Sequence, residues 1–262
     1  MAGYEPVTLE EMGSIRLMSR TDTKFVTTER QLRQLLLDAC DYYRVQEVEG
    51  RREASYYTLY YDTADCAMFR AHRNGKLNRQ KLRIRSYVDS AIDFLEVKSK
   101  DNHGITRKER MAMSAFDAER CGVLEAACGS QAPYCERFLS RCLRYDPRVM
   151  RAKIENRFLR VTLVDKGMTE RLTIDRHLAF HNLCTGERAS LPGVVVIELK
   201  RAGMGGSPMM ALLRRQRIMP MAFSKYCIGM ALTDSELRCN RLMPRISRIE
   251  KIMTADVVDS GI

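Results

Sequence analysis

Tryptophan is absent from the 262 residues, and so is any C-x-x-C pair. No stretch reaches the run of about 18 apolar residues that a membrane-crossing helix needs. The opening residues, MAGYEPVTLEEMG, lack the apolar core of a secretory signal, so the cytoplasm is the expected compartment. Neither a Walker loop nor a G-x-G-x-x-G turn occurs. A chain that handles phosphate without such loops must do so with side chains, for which the planar fork of arginine is suited. The four histidines (His72, His103, His177 and His181) show no metalloprotease spacing and are read as turn or surface residues. Aromatic interleaving of the RNA-recognition type is missing, as are internal repeats and linkers rich in Pro, Gly or Ser, so a single domain is expected. Nine cysteines are an odd number. Cys121, Cys128, Cys135 and Cys142 recur at intervals of seven, but structural zinc uses closer pairs, and reduced thiols are the better reading.

Positive charge is what the chain has in excess. There are 44 Lys and Arg against 33 Asp and Glu, a net charge of +11, which points to an anionic partner. Its placement is more informative than its amount. In KLRIRSYVDSAIDFLEVKSK, residues 81–100, Lys81, Arg83 and Arg85 alternate with Leu82 and Ile84, and Glu96, Lys98 and Lys100 with Leu95 and Val97. Strand side chains alternate faces, so each segment is apolar on one side and charged on the other. A single such strand is ordinary in a half-solvated sheet. Here the pattern recurs: Arg20, Asp22 and Lys24 in RTDTKFV, Arg171, Thr173 and Asp175 in ERLTIDRHL, and Glu198 and Lys200 after the apolar run Val194 to Ile197. Like charges directly opposite destabilise a sheet, so several cationic strands side by side need a counter-charge. A polyanion threaded inside a closed barrel would supply it, with the apolar faces turned outward under helices.

Local signals place further elements. TLEEM is a capping box with Thr8 as cap, and Thr28 caps a helix carrying Leu32, Leu35, Leu36 and Ala39 on one face. Residues 55–62 read as a strand, and TADCAMFRAHRNG as a short helix or turn ending near Gly75. GITRKERMAMS reads as a further strand, and 116–145 as broken helix. AKIENRFLRVTLV and ERLTIDRHLAFHN form a hairpin around Lys166 and Gly167. Ser207 and Pro208 open a helix that closes by Pro220.

The ordered set RTDTKFV, YYTLYYDT, LRIRSY, LEVKSK, ENRFLR, RLTID, VVIELK and FSKY resembles the catalytic domain of the VTC polyphosphate polymerases, of the CYTH or triphosphate tunnel superfamily. The resemblance covers roughly residues 14–232. It implies an α+β fold: an antiparallel β-barrel, the triphosphate tunnel, with covering helices. Residues 1–240 are then one VTC-like tunnel domain and 241–262 a C-terminal tail, flexible as far as the sequence shows. The implied activity is transfer of the ATP γ-phosphoryl group to a growing inorganic polyphosphate chain. By motif, Lys24, Arg83, Arg85, Lys98, Arg157, Arg171 and Lys225 form the implied catalytic set. Ser224 closes the site beside Lys225. Arg79, Lys100, Lys108 and Lys200 join the substrate-binding lining, and Glu198 would hold a divalent metal, Mn2+ or Mg2+. ATP and polyphosphate are the implied partners; nucleic acid is not expected, and a membrane partner is left open. The hydrolytic branch carries E-x-E-x-K in its first strand, where this chain has Arg20-x-Asp22-x-Lys24. Fewer acids imply fewer metal ions and less activated water, which favours transfer over hydrolysis. Met221 and Ala222 precede Phe223 where a basic residue is sometimes found. A tripolyphosphatase of the same fold, a non-catalytic module for polyphosphate or other phosphorylated ligands, and, independent of fold, a nucleic-acid binder remain alternatives.

Overall fold

The protein is described by a computed structural model over residues 3–13, 20–127, 131–202 and 206–259. In chain order the elements are β1 (Pro6–Val7), α1 (Leu9–Gly13), β2 (Arg20–Thr28), α2 (Glu29–Ala39), β3 (Tyr43–Gln46) and β4 (Ala54–Asp62). Then come α3 (Ala67–Arg73), β5 (Arg79–Tyr87), β6 (Ile92–Lys100), β7 (Thr106–Met113), α4 (Val123–Ala126) and α5 (Ala132–Cys142). The chain continues through β8 (Arg151–Asp165), β9 (Glu170–Asn182), β10 (Arg188–Leu191) and β11 (Val194–Ala202), and ends with α6 (Pro208–Arg215), α7 (Lys225–Thr233) and α8 (Met243–Asp259). The helix starts follow local chemistry. Thr8 and Glu11 exchange hydrogen bonds at α1, with Glu11 N donating to Thr8 Oγ1 at 3.2 Å and Thr8 N to Glu11 Oε2 at 2.7 Å. Thr28 caps α2 through Gln31 N, and Ser207 caps α6 through Met210 N with Pro208 at the first helical position.

One eleven-stranded sheet runs in the order β2-β11-β9-β8-β4-β5-β6-β7, with β10 added beside β9, β3 beside β8 and β1 beside β3. The pairs along this path are antiparallel. β2 and β7 end the path, so the expected barrel is an open, strongly curled sheet rather than a hydrogen-bonded closure. The curl is visible in side-chain contacts: Lys24 of β2 reaches the Phe223 carbonyl at 3.1 Å, and Lys81 of β5 reaches the adjoining Ser224 Oγ at 3.0 Å. Strands far apart in the sheet order therefore face the same helix start.

The convex side is apolar and covered. Val161, Leu163, Leu172, Ile174, Val195, Ile197 and Leu199 pack under α2 and α6. Leu59, Leu82, Ile84, Leu95 and Val97 pack under α4 and α5. One end of the concave side is also apolar, where Val26, Ile154, Phe158, Leu178, Phe180, Val194 and Val196 meet α7 and α8. Cover on both faces at that end explains the unbroken run Val194 to Ile197. The segment read as a C-terminal tail holds α8, and Leu242 just before it, Ile246 and Ile249 are buried in the same cluster as α7. Its apolar stripe has meaning only once that cluster exists. Cys135 is buried in the α5 packing, Cys121 is exposed and Cys142 intermediate, while Cys128 lies outside the described residues; no group of three or more His, Cys, Asp or Glu placed to hold a metal occurs among those described. No described helix is long and apolar enough to cross a membrane.

Candidate functional site

The concave face beyond the α7 end is charged. Strand pairing sets Glu198 between Lys24 and Thr173, and Lys200 between Asp22 and Arg171. It also sets Arg83 beside Glu96, Lys81 beside Lys98 and then Lys108, and Arg79 beside Lys100. Because partners across a pleated sheet share a face, these residues line one channel. The channel opens into a cavity of about 550 Å³ whose wall includes Tyr56, Arg85, Arg110, Arg160, Arg171 and Lys200.

Ion pairs organise the lining. Glu96, 1% exposed, receives Arg83 at 2.7 Å and Lys108 at 3.0 Å. Burial would raise its carboxyl, but Arg83, Arg85 and Lys108 outweigh that and bring it to about 2. Asp175 accepts two hydrogen bonds from Arg160, at 2.6 and 2.8 Å, and one from Lys225. Against the effect of burial, those two cations hold its carboxyl far below the usual range. Glu198 lies 3.8 Å from Lys24 and 3.5 Å from Lys200. Burial again opposes ionisation there, and the surrounding cations again win. The lysines feel the reverse. Burial, with cationic neighbours adding to it, brings Lys81 down to about 7 and Lys200 and Lys225 to about 8. Several donors have no acceptor: Arg85 Nε, Thr58 Oγ1 and Thr173 Oγ1 are buried without a hydrogen-bond partner. Buried polar atoms are ordinarily paired, so these mark where a ligand oxygen fits.

α7 supplies the end wall. Ser224, its N-cap, accepts from Cys227 N at 3.3 Å while also accepting from Lys81. Tyr226 is tied by its hydroxyl to the buried Asp62 at 2.6 Å, and Asp62 in turn accepts from Met68 N and Phe69 N of α3. The first turn of α7, with Ser224 and Lys225, is thus held rigidly at the channel end.

Of the residues singled out in the sequence, the structure brings Lys24, Arg79, Arg83, Arg85, Lys98, Lys100, Lys108, Arg171, Glu198, Lys200, Ser224 and Lys225 to this face. Arg157 is not among them. It pairs with Tyr57 and lays its guanidinium 4.6 Å from that ring, on the convex side. The concave arginine of β8 is Arg160. Lys81, Glu96 and Asp175, which the alternation puts on the charged face although no role was assigned to them, also belong to the lining, as does Arg110, which was not singled out. His72 departs from a surface position: it is half-buried, and burial together with Lys81, Arg79, Lys24 and Arg245 lowers it to about 2. The Arg20 side chain lies outside the described ones.

A family model of the VTC domain matches residues 19–233. The chain belongs to the VTC domain family. No curated protein matches it. Among solved structures, HpAC1 from Hippeastrum, reported to have a dominant triphosphatase activity, aligns at 15% identity and TM-score 0.47 over 81% of this chain and 95% of its own. PH1012 of Pyrococcus horikoshii aligns at 8% and 0.40, over 76% and 91%. A conserved hypothetical protein of Pyrococcus furiosus aligns at 11% and 0.37, over 76% and 92%. These likenesses are too distant to bear on chemistry. Glu198 is the residue that the resemblance assigned to a divalent ion, and it lies on this face. Its two lysine contacts are long, and a hard ion that takes most of its ligands from phosphate oxygens needs few protein carboxylates, so the donor set fits an ion delivered with a phosphorylated ligand.

Proposed function

We propose that this VTC domain is a polyphosphate polymerase that transfers the γ-phosphoryl group of ATP to the end of an inorganic polyphosphate chain. The observation that carries the reading is the length and sign of the channel lining. From Arg79 to Arg85 along β5 alone, cations cover about 20 Å at the usual strand rise. Lys24, Lys200 and Arg171 face them from β2, β11 and β9. That is a longer basic track than the three phosphates of a nucleotide require. The carboxylates Glu96 and Asp175 are already held in close ion pairs, which leaves little to activate water. This favours transfer over the hydrolytic alternative.

Phosphoryl transfer passes through a loose transition state with charge spread over the equatorial oxygens, so positioning and electrostatics dominate. The acceptor is an ionised phosphate oxygen and needs no general base. Arg83 and Arg85 stand ready to bind phosphate oxygens from β5, and Lys24, Lys200 and Arg171 from the opposite strands. Ser224, Lys225 and Lys81 close the end at α7, with Asp175 fixing the Lys225 ammonium. The apolar packing of α7 and α8 excludes water from that end. A divalent ion at Glu198 would neutralise charge on bridged phosphates.

Incubation of the protein with ATP and Mn2+ or Mg2+, resolved on a gel, tests the reading. Long polymer is the expected product; free phosphate alone indicates a hydrolase, and no turnover with intact polyphosphate binding indicates a binding module. Glu198→Gln is expected to abolish metal-dependent synthesis while polyphosphate binding survives or tightens.

A further inference from the structure

Lys24, Lys108, Lys200 and Lys225 of the channel each face a carboxylate: Glu198, Glu96 or Asp175. Lys81 does not. Its hydrogen bond goes to a hydroxyl, Ser224 Oγ at 3.0 Å, and among the described residues no carboxylate forms an ion pair with it. Asp62, which follows the β4 partner of Leu82, is already taken up by Met68 N, Phe69 N and the Tyr226 hydroxyl. The other charged or titratable groups around Lys81 are Arg83 on its own strand, Lys98 opposite it on β6, Lys24 from β2, His72 from α3 and Cys227 from α7. Burial, with the cations adding to it, brings Lys81 to about 7, so a neutral amine is within reach at ordinary pH.

Ser224 is half-buried and opens the nine-residue helix α7. Its Oγ accepts from Cys227 N and from Lys81, and its own proton has no acceptor among the described residues. Lys225 follows it, and Lys24 Nζ reaches the carbonyl of the preceding Phe223 at 3.1 Å. Elongation of a phosphate chain employs an ionised oxygen as acceptor and leaves this hydroxyl and its amine unused. A hydroxyl nucleophile does need an adjacent base, and Lys81 is in contact with it.

We propose that Ser224 is itself a phosphoryl acceptor, with Lys81 as its base. Lys81, as the neutral amine, takes the hydroxyl proton while Ser224 Oγ bonds to the γ-phosphorus of ATP. The bond from that phosphorus to the bridging oxygen breaks, and its electron pair leaves with ADP. The proton stays on Lys81, whose ammonium then faces the phosphoserine dianion, with Lys24 and Lys225 close by and the positive end of α7 behind it. The inference rests on the reading that ATP lies in the channel with its γ-phosphate toward α7, but not on polymer synthesis.

The test is incubation of the phosphatase-treated full chain with ATP and Mg2+, removal of any polymer with an exopolyphosphatase, and intact and tandem mass spectrometry. One acid-stable phosphoryl group on Ser224 is expected, formed at a rate independent of protein concentration because the dyad acts within one chain. Ser224→Asn keeps a capping side chain without the hydroxyl and should take up none. Lys81→Arg keeps the charge but cannot accept a proton, and at saturating ATP it should slow labelling by about 100-fold or more. The unsubstituted chain should label about tenfold faster per pH unit until Lys81 is deprotonated in the complex, whereas the Lys81→Arg profile should be flat. Thermal unfolding checks that both variants remain folded. An unmodified Ser224 in a chain that binds ATP, an acid-labile label on lysine or histidine instead, or undiminished labelling in Lys81→Arg would overturn the dyad. Labelled Ser224 without polymer leaves the dyad standing and sinks the polymerase reading; polymer with Ser224 unmodified does the reverse. A chain that does not bind ATP sinks both.

Discussion

Arg157 and Arg160 lie on the same strand and face opposite ways. Arg157→Ala is expected to leave tripolyphosphate affinity within about twofold, because only its contact with the Tyr57 ring is lost, worth about 0.5–1 kcal/mol at an exposed site. Arg160→Ala strips Asp175 of its bidentate partner in a buried position and is expected to destabilise the fold by about 3–5 kcal/mol. Thermal unfolding and calorimetric binding of tripolyphosphate separate the two. The difference was legible in the sequence. Val161 and Leu163 are core residues of β8, so residues of odd number there face the convex helices and Arg160 and Thr162 face inward. The ENRFLR motif pointed to Arg157; a period of two counted back from Val161 and Leu163 is the signal that would have found Arg160 instead. The lysines give a pH prediction. Lys81, Lys200 and Lys225 sit near 7, 8 and 8, below the ordinary 10.5. Between those values and 10.5 the unfolded chain binds more protons, so the stability of the ligand-free protein should rise with pH across that window. Anion binding needs the ammonium forms, so tripolyphosphate affinity should fall as pH rises through 7 to 8, by up to about tenfold per unit for each lysine that must be reprotonated. A flat profile, or no proton uptake on binding by calorimetry in different buffers, would remove the buried lysines from the ligand's grip.

Among the elements, α7 has the most demanding fit. A Cβ on Gly229 would stand 2.5 Å from Phe180 Cδ1 and 2.7 Å from Ile154 Cδ1. Gly229→Ala gains about 1 kcal/mol of helix propensity. The clash forces the helix off the sheet at a cost of about 1–3 kcal/mol, which outweighs the gain or cancels it. Since Ser224 and Lys225 start that helix, the substitution should also weaken tripolyphosphate binding although Gly229 touches no ligand; unchanged affinity would show that α7 is not the end wall. Elements announced by local chemistry were readable: the helices capped by Thr8, Thr28 and Ser207, and the long hairpin of β8 and β9. β1 and β3 have two and four residues and pair only with strands distant in sequence, so no local signal marks them, while β10, also four residues, is the short return arm of a hairpin with β9. At His177 the backbone enters the left-handed region with φ 52°, and the register of β8 with β9 shifts there. That bulge returns Leu178 and Phe180 to the concave side under α7.

For the whole molecule, the net charge is +11, and cations from several strands line the same concave face. Affinity for tripolyphosphate and polyphosphate should therefore fall steeply with salt, linearly in log–log form, with the steeper slope for the longer ligand. Titrations from low to high salt check this, and a flat response would point to a neutral ligand. The alternation of charge and apolar residues is a property of neighbouring positions, so the sequence by itself determined that there would be strands with one cationic face, and which residues most of that face contains; that the sheet curls without closing came from the tertiary structure. It pointed to an anionic partner for the same reason. Which strands stand opposite one another was decided by the tertiary structure, through pairings between segments far apart in the chain. So was the partnership of Asp175 with Arg160 and Lys225, and so was the depression of Lys81, because desolvation depends on everything packed around a group and not on its place in the chain. α8 belongs to the same class: its amphipathic stripe had no visible counterpart until the concave cluster of Val26, Val196 and Tyr226 was assembled for it to cover.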